Sequence, residues 1–177
     1  VLAAEGSIVD GKGEDGTISE KEYVNLLKEI KDNKEIKALV LRINSPGGSA
    51  YASEQIWYQL QEIKKRIPIV VSMGDVAASG GYYIATAANK IYANANTITG
   101  SIGVFGMMFD ISNAANQKLG ITFDRVGTGP YADFGTPTRA WSDREKEVMN
   151  KSIYKVYDLF KSRVSKGRNL SMEQVET

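Results

Sequence analysis

Apolar and polar residues follow two rhythms along this chain, one typical of helices and the other of strands. Residues 19–33, SEKEYVNLLKEIKDN, open with capping-box spacing and then repeat apolar residues at helical intervals. Ala50–Lys65 repeats them in the same way, and a last long helix is predicted to begin at a second capping box, Ser142 and Glu145. The residues expected to point inward from that last helix are Val148, Ile153, Val156, Phe160 and Val164.

Short β-branched runs bounded by turn residues lie between these helices and predict buried strands. The runs are IKALVLRI (36–43), IPIVVSM (67–73), KIYANA (90–95) and ITFDRVG (121–127), with a small-residue helix, YYIATAAN (82–89), after the second. Alternation of strand and helix is typical of a parallel sheet with right-handed crossovers. The predicted fold class is therefore α/β, with a mostly parallel sheet and flanking helices.

Composition narrows the chemistry that this chain can perform. Its 177 residues suit one domain, 1–177, and 42% hydrophobic with 24% charged residues is an ordinary globular mixture. A net charge of +1 gives no basic surplus for binding nucleic acid. The absence of Cys and His excludes disulfides, Cys or His metal ligands and a Ser-His-Asp triad within the chain, and no cofactor or metal site is predicted.

Two glycine-rich loops each follow a predicted strand and precede a helix, which is where α/β sheets bind ligands. The first loop, NSPGGS, spans Asn44–Ser49, and its Gly47 and Gly48 allow backbone N–H groups to turn toward one point. Such a nest can hold an anion or an oxyanion. A plain tight turn is the other interpretation.

The second loop, GDVAASGGYY at Gly74–Tyr83, holds Ser79 among small residues between a strand and a helix. Small neighbours are what a sharp nucleophile turn requires, and the helix N-terminus offers the N–H of Ser79 or Gly80 to an oxyanion. The other interpretation of Ser79 is a helix N-cap, the commonest role of a Ser in this position. Asp75 is interpreted as a turn residue.

A Ser nucleophile needs a group that takes its proton, and without His the remaining candidate is a Lys kept neutral by burial. The lysines of this chain fall mostly on polar helix faces, and Lys64 and Lys155 are among those predicted to be solvated. No Lys here is predicted to be a buried base. Either Ser79 is not a nucleophile, or its base comes from another segment or subunit.

The apolar, Gly-spaced segment TITGSIGVFGMM, Thr97–Met108, is the third feature. The hydroxyl of its Ser101 could hydrogen-bond a Lys amine, or it could simply cap a turn. The apolar stretch that follows could line a cleft for an extended apolar peptide, or it could be part of the core.

Four segments, taken together, carry a resemblance to a known family. They are NSPGGS, GDVAASGGYYIA, the run ANTITGSIGV at Ala95–Val104 and the LGI of Leu119–Ile121, and they lie in the family's order over about half of the chain. In them the chain resembles the Ser/Lys peptidases called signal peptide peptidase A, or protease IV. The resemblance implies a Clp-protease/crotonase type of fold, built from ββα-type repeats.

The resemblance also implies roles for particular residues and a setting for the enzyme. Ser79 would be the nucleophile, the backbone N–H groups of Gly48 and Gly80 would form the oxyanion hole, and Ser101 would orient the Lys. The activity implied is endopeptidase cleavage of the apolar remnants of signal peptides at the bacterial inner membrane, on its extracytoplasmic side. A homo-oligomeric, tetramer-like ring, anchored in the membrane through an N-terminal segment, is implied as well.

The chain departs from the family at the base. In short members the Lys lies in the loop after the strand that ITFDRVG matches, whereas here that loop reads GTGPYADFGTP and the matching position is Ala132. In long, tandem-repeat members the first repeat supplies the Lys and the second the Ser. The chain therefore resembles the second repeat of a long member, and we expect a fragment that is nearly inactive alone. An engineered loss of the Lys from a short member is the less favoured explanation.

Two other functions stay open. A crotonase-like acyl-thioester enzyme would need acids such as Glu aimed at the site, and neither glycine-rich loop carries a Glu. A non-catalytic repeat that builds an oligomer or binds peptides agrees with the missing Lys, but the small-residue turn around Ser79 counts against it.

Overall fold

The structure, a computed structural model, describes residues 1–176. Its strands are β1 (Leu2–Glu5), β2 (Ile8–Val9), β3 (Ile18–Ser19), β4 (Leu39–Ser45), β5 (Ile69–Ala78), β6 (Lys90–Tyr92) and β7 (Ile98–Gly100). Its helices are α1 (Glu20–Asp32), α2 (Ala50–Lys64), α3 (Gly80–Ala85), α4 (Ser112–Ala114, continuing as a π-helical turn over Ala115–Leu119), α5 (Asp143–Arg168) and α6 (Met172–Glu176).

Five of the strands form one sheet in which every pair is parallel. The order is β1-β4-β5-β6, and β7 pairs with the second half of β5, so that β5 is the strand with most partners. Alternate side chains of the two long strands are buried in the core: Leu39, Leu41, Ile43, Ile69, Val71 and Met73. Burying each such side chain contributes about 1.5–3 kcal/mol relative to leaving it exposed. The parallel sheet confirms the predicted α/β class.

The predicted capping boxes begin the predicted helices. The Ser19 hydroxyl accepts from the backbone N–H of Glu22 at the start of α1. At the start of α5, the N–H and hydroxyl of Ser142 both donate to the Glu145 carboxylate, at 2.8 and 2.7 Å. The helices α1 and α2 match their predicted extents to within a residue or two, because caps and apolar periodicity are local signals.

Two predictions were wrong: the strand at residues 121–127 and the burial of Val148. Residues 121–127, ITFDRVG, form no strand in the described chain, and all seven are exposed. A β-branched run favours a strand only where a partner strand exists, and no described strand pairs with this one. Val148 of α5 is 43% exposed and does not point into a core, whereas Phe160 and Val164 are buried as predicted.

The described residues form two compact units. The first comprises Val1–Val104 with the chain from Tyr157 onward, and it contains the sheet and α1 to α3. The second is Phe105–Val156, in which Arg139 bridges the carboxylates of Asp133 and Glu145. Among residues 1–176, no helix is both long and apolar enough to cross a membrane.

Candidate active site

The two central strands depart from regular pairing just before β5 ends. They pair residue by residue as far as Ile43 and Met73, but Ser45 then pairs with Ala77. One residue of β4 therefore faces three of β5, which makes a β-bulge, a feature that is over-represented next to active sites. As a result β5 runs on through GDVAA and ends at Ala78, beyond the predicted end of the strand at Met73.

Ser79 occupies the corner between β5 and α3 in a backbone conformation that side chains rarely adopt. Its φ is +50° and its ψ −121°, and its N–H donates to the carbonyl of Gly100 at 2.9 Å. A non-Gly residue in such a conformation is strained, and strain of this kind concentrates at functional sites. The strained strand-to-helix turn expected of a nucleophile is therefore present at Ser79.

The Ser79 hydroxyl does not cap α3. It makes no cap hydrogen bond, and it has no hydrogen-bond partner among residues 1–176. The side chain is only partly buried. The structure thus gives no support to the N-cap interpretation and leaves the oxygen available to a ligand.

The first glycine-rich loop packs directly against this corner. A Cβ placed on Gly47 would come within 2.6 Å of the Gly80 nitrogen and 2.9 Å of the Ser79 Cβ. A Cβ on Gly48 would come within 2.0 Å of the Ile8 carbonyl oxygen. Glycine at these two positions is what allows the loop to approach the serine so closely.

Two backbone amides near the serine are unpaired. The N–H groups of Gly48 and Gly80 donate to no other group among residues 1–176. The Gly48 nitrogen lies 3.3 Å from the point that a Cβ of Gly80 would occupy, so the two residues are neighbours across the corner. Free amides beside a strained Ser are the donors that an oxyanion requires. Gly80 is buried, and a buried amide is normally paired, so a plain turn would leave its free N–H unexplained, whereas the exposed Gly48 amide is open to water.

Ser101 lies just beyond the end of the strand that pairs with β5 next to Ser79. It directly follows β7, whose last residue, Gly100, accepts the Ser79 N–H. Ser101 is exposed, has φ +50°, and its hydroxyl has no hydrogen-bond partner within the described chain. The structure therefore brings together Ser79, Gly48, Gly80 and Ser101 at the carboxyl ends of parallel strands.

No lysine among the described residues hydrogen-bonds Ser79. Lys64, which was predicted to be solvated, is only partly exposed: its amine donates to the Ala88 carbonyl at 3.2 Å, and burial lowers its pKa, with the Arg168 cation lowering it further. It is nevertheless remote from the corner, because it lies about 16 Å further along α2 than Ser53, which contacts Gly80. Ala132, the position matched to the family's Lys, lies in a turn of the Phe105–Val156 unit.

Three residues that sequence reasoning did not single out also build the corner. The buried Ser45 hydroxyl accepts from the Gly47 N–H at 3.1 Å, which fixes the direction of the loop. The Ser53 hydroxyl lies 2.5 Å from a Cβ built on Gly80, and the Ile8 backbone pairs with the loop from its other side. Ser45 stands inside the motif, but Ile8 and Ser53 carry no local signal that could have found them.

A strained Ser beside two unpaired amides, at the carboxyl edge of a parallel sheet, is typical of enzymes that transfer acyl groups through a serine. The chain belongs to Peptidase family S49, whose sequence model matches residues 61–177. This membership and the parallel sheet together confirm the expected Clp-protease/crotonase type of fold.

Similar proteins carry names that agree with the family. The chain is 41% identical over 182 residues to Protease 4 of Haemophilus influenzae and 39% identical over 177 residues to Protease 4 of Salmonella typhi, covering 99% of this chain and 28% of each relative. It is 36% identical over 181 residues to the putative signal peptide peptidase SppA of Enterococcus faecium, covering 99% of this chain and 52% of that relative. The chain thus spans between about a quarter and a half of the length of these relatives.

Proposed function

We propose that this chain supplies the nucleophile of a serine peptidase. The Ser79 oxygen attacks a peptide carbonyl, a base takes the hydroxyl proton, and the amine leaves with a proton to give an acyl-enzyme that water hydrolyses. The observation that carries the proposal is the Ser79 corner itself, with its positive φ and its unpaired hydroxyl. Membership of a peptidase family supports the same chemistry.

The amides of Gly48 and Gly80 serve as the oxyanion hole in this proposal. The developing negative charge on the carbonyl oxygen needs donors that are already in position, because reorienting them during the reaction would cost free energy. The two amides are held by the backbone of a loop that Ser45 and Ile8 fix, so they need no rearrangement. Gly80 is also the first residue of α3, which adds the positive end of a short helix.

The base in this proposal is a Lys from outside these 177 residues. No described lysine hydrogen-bonds Ser79, and the matching position holds Ala132. We propose that a longer, tandem-repeat protein delivers the Lys from its other repeat, with the Ser101 hydroxyl accepting a hydrogen bond from the amine and orienting it. The chain alone is then inactive or nearly so.

The proposed substrates are apolar remnants of signal peptides, cleaved at the extracytoplasmic side of the bacterial inner membrane. The printed name of the Enterococcus faecium relative supports this substrate class. The segment after Ser101 offers apolar surface, since Phe105, Met107 and Phe109 are all mostly exposed. Surface of this kind also supports the proposal of a homo-oligomer, in which subunits cover it.

A labelling experiment on the full-length protein tests the proposed nucleophile. A fluorophosphonate should modify Ser79, and Ser79→Ala should abolish both labelling and peptide cleavage. Ser72→Ala, on the same strand but before the bulge, is the matched control and should keep both. Cleavage that survives Ser79→Ala would rule out the proposed peptidase mechanism.

A further inference from the structure

The β-bulge in β5 determines how far along the sheet Ser79 lies. Asn44 of β4 faces three residues of β5, Gly74, Asp75 and Val76, so β5 carries two residues more than regular pairing would allow. Two residues of a strand span about 6–7 Å. Without the bulge, the position of Ser79 along the sheet relative to β4 would therefore differ by that distance.

Side chains replace the backbone pairing that the bulge removes. The Asn44 side-chain oxygen accepts from the N–H of Val76 at 3.2 Å, in place of a carbonyl of the neighbouring strand. On the other side of β5, the Thr97 hydroxyl donates to the Gly74 carbonyl at 2.8 Å. The extra residues are thus held from both sides, so the bulge has one defined shape.

Asn44 and Gly74 also fit against each other closely. A Cβ on Gly74 would come within 2.9 Å of both the Cβ and the side-chain oxygen of Asn44. The backbone of Asn44 is itself fixed, because its carbonyl accepts from the N–H of Gly6 at 3.0 Å. The Asn44 side chain is therefore a rigid support for the bulged segment.

We infer that Asn44 is a positioning residue for the reaction: it holds the β5 bulge that places Ser79 opposite the Gly48 amide. The catalytic part of this inference rests on the proposed function, whereas the structural part does not. A misplacement of about 1 Å can slow an enzymatic reaction by about 100-fold, so loss of the support should act on the rate rather than on substrate binding.

The test compares four variants of the full-length protein. Asn44→Ala should slow fluorophosphonate labelling of Ser79 by about 10- to 100-fold. It should lower kcat by a similar factor and change KM by less than about twofold. Asn44→Asp keeps an oxygen in the same place and should stay within about threefold of wild type. Thr97→Val removes the second support and should act in the same direction as Asn44→Ala.

The matched control is Arg42→Met. Arg42 also reaches from β4 to β5, donating to the Ser72 hydroxyl at 2.8 Å and the Met73 carbonyl at 2.6 Å, but it does so before the bulge. Its loss should leave labelling within about threefold of wild type. Labelling of Asn44→Ala at the wild-type rate, or an equal loss in Arg42→Met, would overturn the inference.

Hydrogen exchange separates this inference from the proposed function. In Asn44→Ala, exchange of the amides of residues 74–80 should speed up at least about tenfold, while residues 69–73 should stay as in wild type. If wild type is not labelled, the proposed nucleophile is wrong, and the exchange result still decides the role of Asn44. Unchanged exchange at residues 74–80 would show that Asn44 does not hold the bulge.

Discussion

At the scale of single residues, the site depends on glycines, which have no side chain to collide with their neighbours. Gly47 and Gly48 lie so near Ser79 and Ile8 that a Cβ on either would overlap backbone atoms. Ser79 itself adopts a positive φ that costs about 1–3 kcal/mol, which the surrounding contacts must offset. The corner therefore combines one strained residue with neighbours small enough to permit the strain.

Replacing Gly48 by Ala should damage both stability and the site. The new Cβ would lie 2.0 Å from the Ile8 carbonyl oxygen, so the loop must move and carry the Gly48 amide with it. We expect a loss of about 2 kcal/mol or more in the free energy of unfolding, together with loss of fluorophosphonate labelling in the full-length protein.

Gly103→Ala is the control for this prediction. Gly103 also lies in a glycine-spaced motif, but a Cβ there meets no atom within 4 Å. Urea unfolding should show a change within about 0.5 kcal/mol for Gly103→Ala. Equal stability of the two variants would mean that the tight contact at Gly48 is easily relieved.

At the scale of elements, α3 cannot be stable without its neighbours. It has six residues, too few for an isolated helix in water. Tyr83 of α3 hydrogen-bonds the carboxylate of Glu54 on α2, and Arg163 of α5 donates to the same carboxylate at 2.5 Å. The Trp57 indole N–H donates to the Thr86 hydroxyl at 3.0 Å. These contacts hold the short helix whose first residue is Gly80.

The hydroxyl of Tyr83 should contribute to stability in a pH-dependent way. Tyr83→Phe leaves Glu54 without one donor and should cost about 1–2 kcal/mol of unfolding free energy at neutral pH. Burial, followed by the hydrogen bond to Glu54, raises the pKa of Tyr83 above its ordinary 10.0. A raised pKa stabilises the folded state below pH 10, and this contribution is lost as the pH rises above it.

The difference between wild type and Tyr83→Phe in urea unfolding should therefore be constant up to about pH 9 and shrink above about pH 10. Tyr58→Phe, on the exposed side of α2, should change the free energy at neutral pH by less than about 0.5 kcal/mol. A difference that grows above pH 10 would contradict the direction of the Tyr83 shift.

At the scale of the whole molecule, the proposed mechanism finds a nucleophile and oxyanion donors among the described residues but still requires a base. No described lysine hydrogen-bonds Ser79, and Lys64, whose pKa burial lowers, lies far along α2 from the corner. A neutral amine must therefore arrive from elsewhere if Ser79 is to lose its proton. In the proposed mechanism this amine comes from the other repeat of a longer protein.

The isolated chain should accordingly react with a fluorophosphonate at least about 10³-fold more slowly than the full-length protein. Adding the proposed partner repeat in trans should restore labelling, and adding it to the Ser79→Ala chain should not. Labelling of the isolated chain at the full-length rate would show that a base lies within these 177 residues.

Local signals let the sequence predict a large part of this structure. Capping boxes at Ser19 and Ser142 and apolar periodicity located α1, α2 and α5. A helix makes its backbone hydrogen bonds within itself and packs through one apolar face, so both signals are local. Small residues around Ser79 predicted a sharp turn, because only they fit there. The strand predicted at 121–127 was wrong because a strand needs a partner strand, and its own residues do not specify one.

By itself, then, the sequence determined the helices α1, α2 and α5, the parallel α/β class and the cramped corner at Ser79. Only the tertiary structure decided where that corner lies relative to Gly48 and Gly80, because the spacing depends on a bulge held by Asn44 and Thr97 from two different segments. The partial burial of Lys64 and the exposure of Val148 were decided in the same way. Contacts between distant segments fix such features, and no local pattern of residues encodes them.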